Sequence, residues 1–175
     1  MKHYYKTTFL LIFLWIPFVS NAQDPSWSWT KSIHSPGEEM SADCRIDPVT
    51  GDILMVGGFN SDLAGYLGKG DRTSTDFSST YGASDGYIAR YNSDGELIWA
   101  FRIGGEGDDQ VNSVDVTSRG DIYITGYTTG EECHFEGIGS STSDSVIDNP
   151  GGQTFFVARY TSEGSLEWVR IAENT

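Results

Sequence analysis

The stretch from Gly120 to Trp168 is a second copy of the stretch from Gly51 to Trp99. Slid by 69 positions without a gap, the two agree at 16 of 49 residues, where unrelated segments would share about three. The matches include Gly51, Asp52, Ile53 and Gly57 near the start of the block and Ala89, Arg90, Tyr91, Gly95, Leu97 and Trp99 at its end. A duplicated block of this size is one supersecondary unit that cannot bury its apolar face alone. The chain must therefore fold as like units stacked on one another.

Within the first unit, Ala42 to Asp47 reads as a weak strand, and Pro48, Val49, Thr50 and Gly51 as a turn in which glycine supplies a positive φ. Asp52 to Gly58 is apolar on both faces, as a strand sandwiched between layers should be. Gly86 to Tyr91 and Glu96 to Ile103 form a hairpin through Asn92, Ser93, Asp94 and Gly95. The second unit repeats that hairpin with Thr154 to Tyr160, the turn Thr161 to Gly164, and Ser165 to Ile171. Between the second and third strands lie two polar stretches of equal length, Asn60 to Tyr81 and Thr129 to Pro150, with no strand pattern. Loops that long are usually functional, and their equivalent positions suggest a display surface. No segment outside the first 22 residues keeps a helical apolar period, so the fold class is all-β.

Four strands in about 70 residues, repeated in tandem, is the pattern of a β-propeller blade. The run GDDQVNSVDVTSRGDIYITGYTTG followed by GGQTFFVARYTSEGSLEWVRIA resembles the bacterial β-propeller repeat abbreviated SBBP. That repeat has an acidic pair, an apolar strand, a glycine turn, a second strand ending in Thr-Gly, and a closing hairpin with tryptophan. The likeness covers residues 34 to 175. The second unit follows the pattern through Asp108, Asp109, Gly120, Asp121, Tyr123, Thr125 and Gly126. The first departs from it: Glu38 and Glu39 stand for the acidic pair, Gly57 and Gly58 for Thr-Gly, and Pro48 to Thr50 holds one extra residue. The resemblance implies a secreted or surface protein with a ring of blades and no catalytic residues.

The expected division is a signal peptide over residues 1–22, a leading strand over 23–34, blade one over 35–103 and blade two over 104–175. Met1 to Lys6 is basic, Phe9 to Val19 is apolar, and Ser20, Asn21 and Ala22 are small, the marks of an export signal cleaved after Ala22. The run is too short, and broken by Pro17, for a bilayer span, and no membrane span is expected after cleavage. Trp27 to Ile33 alternates large and small residues like the last strand of each unit, with Trp29 matching Trp99 and Trp168. Two blades fall short of the usual minimum of four, so further blades or copies are needed to close a ring, and the chain reads as an incomplete propeller.

Removal of residues 1–22 takes away Lys2 and Lys6 and no acid, moving the formal charge from −14 to −16. Such a surface repels phosphate backbones and excludes nucleic acid as a partner. Cys44 and Cys133 fall at different places in the two units, so no repeated disulfide framework needs them.

Candidate chemistry is sparse. Arg119, Gly120 and Asp121 spell RGD, but the first unit writes Thr50, Gly51 and Asp52 there, and turn geometry accounts for them. Glu106, Asp108 and Asp109 have too few oxygen donors at alternate positions for a calcium loop. Glu131, Glu132, Cys133 and His134 resemble a loose metal cluster with no counterpart in Asp62 to Gly65. Trp29, Trp99 and Trp168 fit packing between blades. Arg90 and Arg159 suit an exposed strand face or a pairing with a nearby acid. No GxSxG or HExxH occurs. We therefore expect no enzyme and assign no catalytic, cofactor-binding or metal residues. The expected function is a structural or binding module for a protein or glycan ligand. The alternatives are part of a propeller enzyme, since GELIWAF and GSLEWVR resemble the tryptophan strand of quinone-dependent propellers, and a carbohydrate-binding module.

Overall fold

The computed structural model describes residues 29–30, 37–60, 81–138, 145–148 and 152–172. The expected signal peptide lies outside them, as do the loop 61–80 and most of the expected leading strand; Trp29 and Thr30 are not in a strand. The described chain is all-β, as expected. Its strands are β1 (Glu39–Ile46), β2 (Ile53–Phe59), β3 (Asp85–Tyr91), β4 (Leu97–Gly105), β5 (Gln110–Val116), β6 (Ile122–Thr128), β7 (Glu132–Phe135), β8 (Ser145–Asp148), β9 (Thr154–Tyr160) and β10 (Leu166–Ile171).

Two antiparallel, open sheets result. One runs β1-β2-β3-β4-β7-β8 and the other β10-β9-β6-β5. The first four strands of the first sheet and all four of the second are the same meander, and they share their irregularities. A bulge interrupts β1 between Ser41 and Asp43 and β5 between Val111 and Ser113. The strand facing each bulge carries the glycine of the repeat. A Cβ on Gly57 would meet the Tyr87 ring at 2.9 Å, and one on Gly126 the Phe156 ring at 2.7 Å. This places Val56-Gly57, rather than Gly57-Gly58, opposite Thr125-Gly126, and it explains why glycine is kept while its neighbours change.

The alternation of side chains along β2, β3, β6 and β9 decides how the sheets meet. Leu54, Val56 and Ile88 of the first unit are buried together with Val111, Val114, Ile122, Ile124, Phe156, Ala158 and Tyr160 of the second. The main core thus lies between the sheets, and each large side chain in it contributes about 1.5–3 kcal/mol. The opposite face of the first sheet, with Tyr87, Ala89 and Tyr91, is also buried, as the doubly apolar pattern of β2 requires. The opposite face of the second sheet is open: Phe155 is 60% and Val157 39% exposed.

One expectation is overturned. The stretch Thr129 to Pro150 is not a free display loop. Its strands β7 and β8 form a hairpin, and β7 pairs with β4 through Ile103–Phe135, Gly104–His134 and Gly105–Cys133. The second unit thereby straps itself onto the outer strand of the first and covers an edge that would otherwise present unpaired main-chain groups.

Candidate functional site

Where the strands β1 and β5 begin and β2 ends, the two sheets part to leave a cleft of about 840 Å³, within the size range of ligand-binding sites. Glu38, Glu39, Asp108 and Asp109 lie in its lining, together with Ser84 and Gln110, and among the described residues no basic one does. The two acidic pairs are equivalent in the repeat, and the stacking of the units brings both to the same opening.

Their carboxylates are not equally available. Asp109 is buried and accepts hydrogen bonds from the Gly105 and Thr129 main-chain N–H groups at 2.6 and 3.1 Å. It therefore pins both ends of the connection that leads into β5 and out of β6. Asp108 is exposed and accepts from Ser84 Oγ at 3.2 Å. Glu38 is exposed, and its main-chain N–H donates to Asn60 Oδ1 at 2.7 Å. The same bond recurs in the second unit, from Asp108 N–H to Thr129 Oγ1 at 2.7 Å. Glu39 Oε1 is enclosed without a hydrogen bond.

Behind the cleft, Asp85 is fully buried on β3 and accepts from the Tyr81 N–H at 2.7 Å. Burial pushes its carboxyl up to about 7; the Tyr81 N–H and Arg102 oppose the rise, while Asp109 adds to it. Cys133, buried nearby, is pushed up to about 12 by burial and by the Asp109 charge, so its thiol is inert. Outside this pocket, Tyr81 stacks on His134 at 4.7 Å, and the Arg102 guanidinium lies 3.6 Å above the same ring while pairing with Glu136 at 2.9 Å.

The remaining candidates are dispersed. Glu132 and His134 point away from Cys133 because neighbours on a strand face opposite sides, so the suggested cluster does not converge. Among the described residues no group of three or more His, Cys, Asp or Glu could hold a metal ion. Arg119 is 84% exposed, and Asp121 is held by Arg159 at 2.9 Å in a tight turn around Gly120, φ 86°. That hydrogen bond from Arg159 holds the Asp121 carboxyl below its usual range. Cys44 is exposed, Cys133 is buried, and both are free.

Arg90 is not on an exposed face. It is 3% exposed and binds Asp47 at 2.7 Å, Asp52 at 2.9 Å and the carbonyl of Ser162 at 2.6 Å. Trp99, 2% exposed, stacks on Phe101 and reaches the second unit, where a Cβ on Gly164 would lie 2.8 Å from Phe101 and 3.1 Å from Trp99. These contacts join the two units. No helix among the described residues is long and apolar enough to cross a membrane. No protein-family model matches this chain, and no curated protein matches it.

Proposed function

We propose that this is an exported β-propeller repeat protein whose two four-stranded units are blades, and that it binds a ligand at the cleft between them without catalysing a reaction. The observation that carries this reading is the stacking of two identical meanders with a carboxylate-lined opening at one end of their seam. The order of strands, the shared bulges and the face-to-face core support blades. Two of the titratable groups behind the cleft support binding over catalysis: Asp109 holds main-chain amides, and Cys133 is buried as a thiol.

With four acids and no base among the described residues of its lining, the cleft favours a cationic segment of a partner protein over an acidic glycan. The test is a titration of isotope-labelled protein with a tetralysine peptide and, separately, with a neutral oligosaccharide. Amide resonances of Glu38, Ser84, Asp108 and Gln110 should shift with the peptide, and the response should vanish in a Glu38→Gln, Asp108→Asn variant. Shifts with the oligosaccharide alone would favour the carbohydrate-binding alternative, and no shift with either would contradict binding at this cleft.

A further inference from the structure

Two rims of the acidic cleft are each anchored on a buried carboxyl group. One rim is the segment entering β3, with Ala83 and Ser84 in the lining; the other is the segment entering β5, with Asp108 and Asp109. Main-chain bonds tie the rims together, from the Ala83 N–H to the Gly107 carbonyl at 3.1 Å and from the Asp109 N–H to the Ser84 carbonyl at 2.9 Å. Asp109 anchors the second rim through the Gly105 and Thr129 N–H groups. Asp85 anchors the first, accepting from the Tyr81 N–H at 2.7 Å and from that of Gly82. Its counterpart in the second unit is Thr154, so the repeat itself requires no acid here.

The surroundings of Asp85 suit a carboxyl that carries a proton. The residue is fully buried, and its Oδ1 is enclosed without a hydrogen bond against Gly104, where a Cβ would lie 2.5 Å away. Asp109 adds like charge, while Arg102 on β4 is 3.8 Å off and is paired with Glu136 at 2.9 Å. The Tyr81 phenol is held above its usual range by burial and by Glu136. From β7 comes the Cys133 thiol, and β2, which pairs Phe59 with Asp85, carries no charged residue. A carboxylate here would have one oxygen unsolvated and a repelling neighbour, and burial accordingly pushes the group up to about 7.

We propose that Asp85 is the proton-linked regulator of the cleft: it holds a proton while the cleft is empty and releases it when a cationic segment binds there. Positive charge in the opening favours the ionised form of the carboxyl behind the rim, and binding and deprotonation then favour one another. The occupied state holds fewer protons than the empty one, so affinity rises with pH through neutrality. The inference rests on the reading of the cleft as a site for a cationic partner and adds the condition under which it fills.

The test is a titration of the protein, labelled with carbon-13 at its aspartate carboxyl carbons, with N-acetylated, C-amidated tetralysine, which has no titrating terminus. In the free protein one carboxyl resonance, lost in Asp85→Asn, should titrate near neutral pH, and saturating peptide at pH 6.5 should move it toward its ionised position. A drop of about one unit on binding makes the affinity about fivefold higher at pH 8 than at pH 6. Asp85→Asn should bind equally at both, and the dependence should persist when His3, His34 and His134 are replaced by Gln. If Asp85→Asn does not fold, Asp85→Thr, which installs the residue of the second unit, serves in its place. An Asp85 resonance that titrates with the other aspartates, or that stays protonated in the saturated complex, overturns the proposal. Binding with the same affinity at pH 6 and pH 8 overturns it too and leaves the cleft reading standing. Absence of binding at both overturns the cleft reading, and the proposal with it.

Discussion

Arg90 on β3 of the first unit donates from Nη1 to the main-chain carbonyl of Ser162 in the second unit, at 2.6 Å. The same guanidinium neutralises Asp47, which is fully buried, and Asp52. Removing it would leave the buried Asp47 carboxylate without its counter-charge, held only by the Val49 N–H at 2.8 Å, and an unpaired carbonyl at the seam. We predict that Arg90→Ala lowers stability by about 3–5 kcal/mol, read from chemical denaturation. Arg159→Ala, at the equivalent but only half-buried position, should leave the midpoint nearly unchanged. Equal effects of the two substitutions would contradict the assignment of Arg90 to the seam.

The hairpin-turn glycines offer a second contrast. Gly51 has φ 79° and open space where a Cβ would stand, so Gly51→Ala meets only the left-handed backbone penalty, about 1–2 kcal/mol. Gly164 has φ 91° and the Phe101 ring 2.8 Å from its Cβ position. Gly164→Ala should be the more destabilising by roughly 1–3 kcal/mol, and it should redden Trp99 emission as the ring is displaced. Equal melting temperatures for the two variants would argue against the observed seam.

Stability should depend on Asp85 in an unusual direction. Its carboxyl is raised by burial to about 7, above the unfolded value of about 3.9. Between those two values the folded state therefore binds more protons than the unfolded state, and this group's contribution to stability falls as pH rises from about 4 to about 7. Above that window the ionised carboxylate is a standing penalty. Asp85→Asn keeps an acceptor for the Tyr81 N–H, so it should stabilise the protein at pH 8 and make little difference at pH 3.5. A variant less stable than wild type at pH 8 would show that the Arg102 contact outweighs burial.

Thiol chemistry gives a direct check on the strap. Cys44 is exposed, and Cys133 sits on β7 with its thiol pushed up to about 12. One thiol per chain should react with a disulfide reagent at pH 8, and the second only on unfolding. Phe135→Ala, which empties the other buried position of β7, should lower stability by about 3–5 kcal/mol and release Cys133 to the reagent. Two thiols reacting at equal rates in the native protein would mean that β7 does not lie on β4.

Much of this architecture was legible because its signals are local. Alternation, turn glycines and the repeated hairpin located six strands within a few residues, the repeat implied the two that open the second unit, and the extra residue in the turn Pro48 to Thr50 fell where the two units differ. The strap was not legible. Its strands are four residues long, too short for a periodic signal, and β7 is stabilised by the outer edge of the first unit rather than by propensity. In hindsight Cys133 and Phe135 alternate with Glu132, His134 and Glu136, which is the trace of a half-buried strand. The burial of Arg90 was hidden for another reason. Asp47 lies across the extra turn residue, opposite Thr117, so the repeat frame that made Arg90 and Arg159 look alike concealed the fully buried acid that pairs with Arg90 and has no counterpart at Arg159. Asp85 has Thr154 as its counterpart, and nothing in the sequence separates it from the many solvated acids of the chain. The acidic pairs were visible, but their meeting across one cleft follows from stacking and not from spacing.

The stacking of the two units is tested most directly by proton NMR at Gly164. With the Trp99 and Phe101 rings against this residue, its Hα resonances should move strongly upfield and show cross-peaks to the Trp99 indole protons. Hα shifts at ordinary glycine values, with no cross-peak to either ring, would mean that the units do not meet as described.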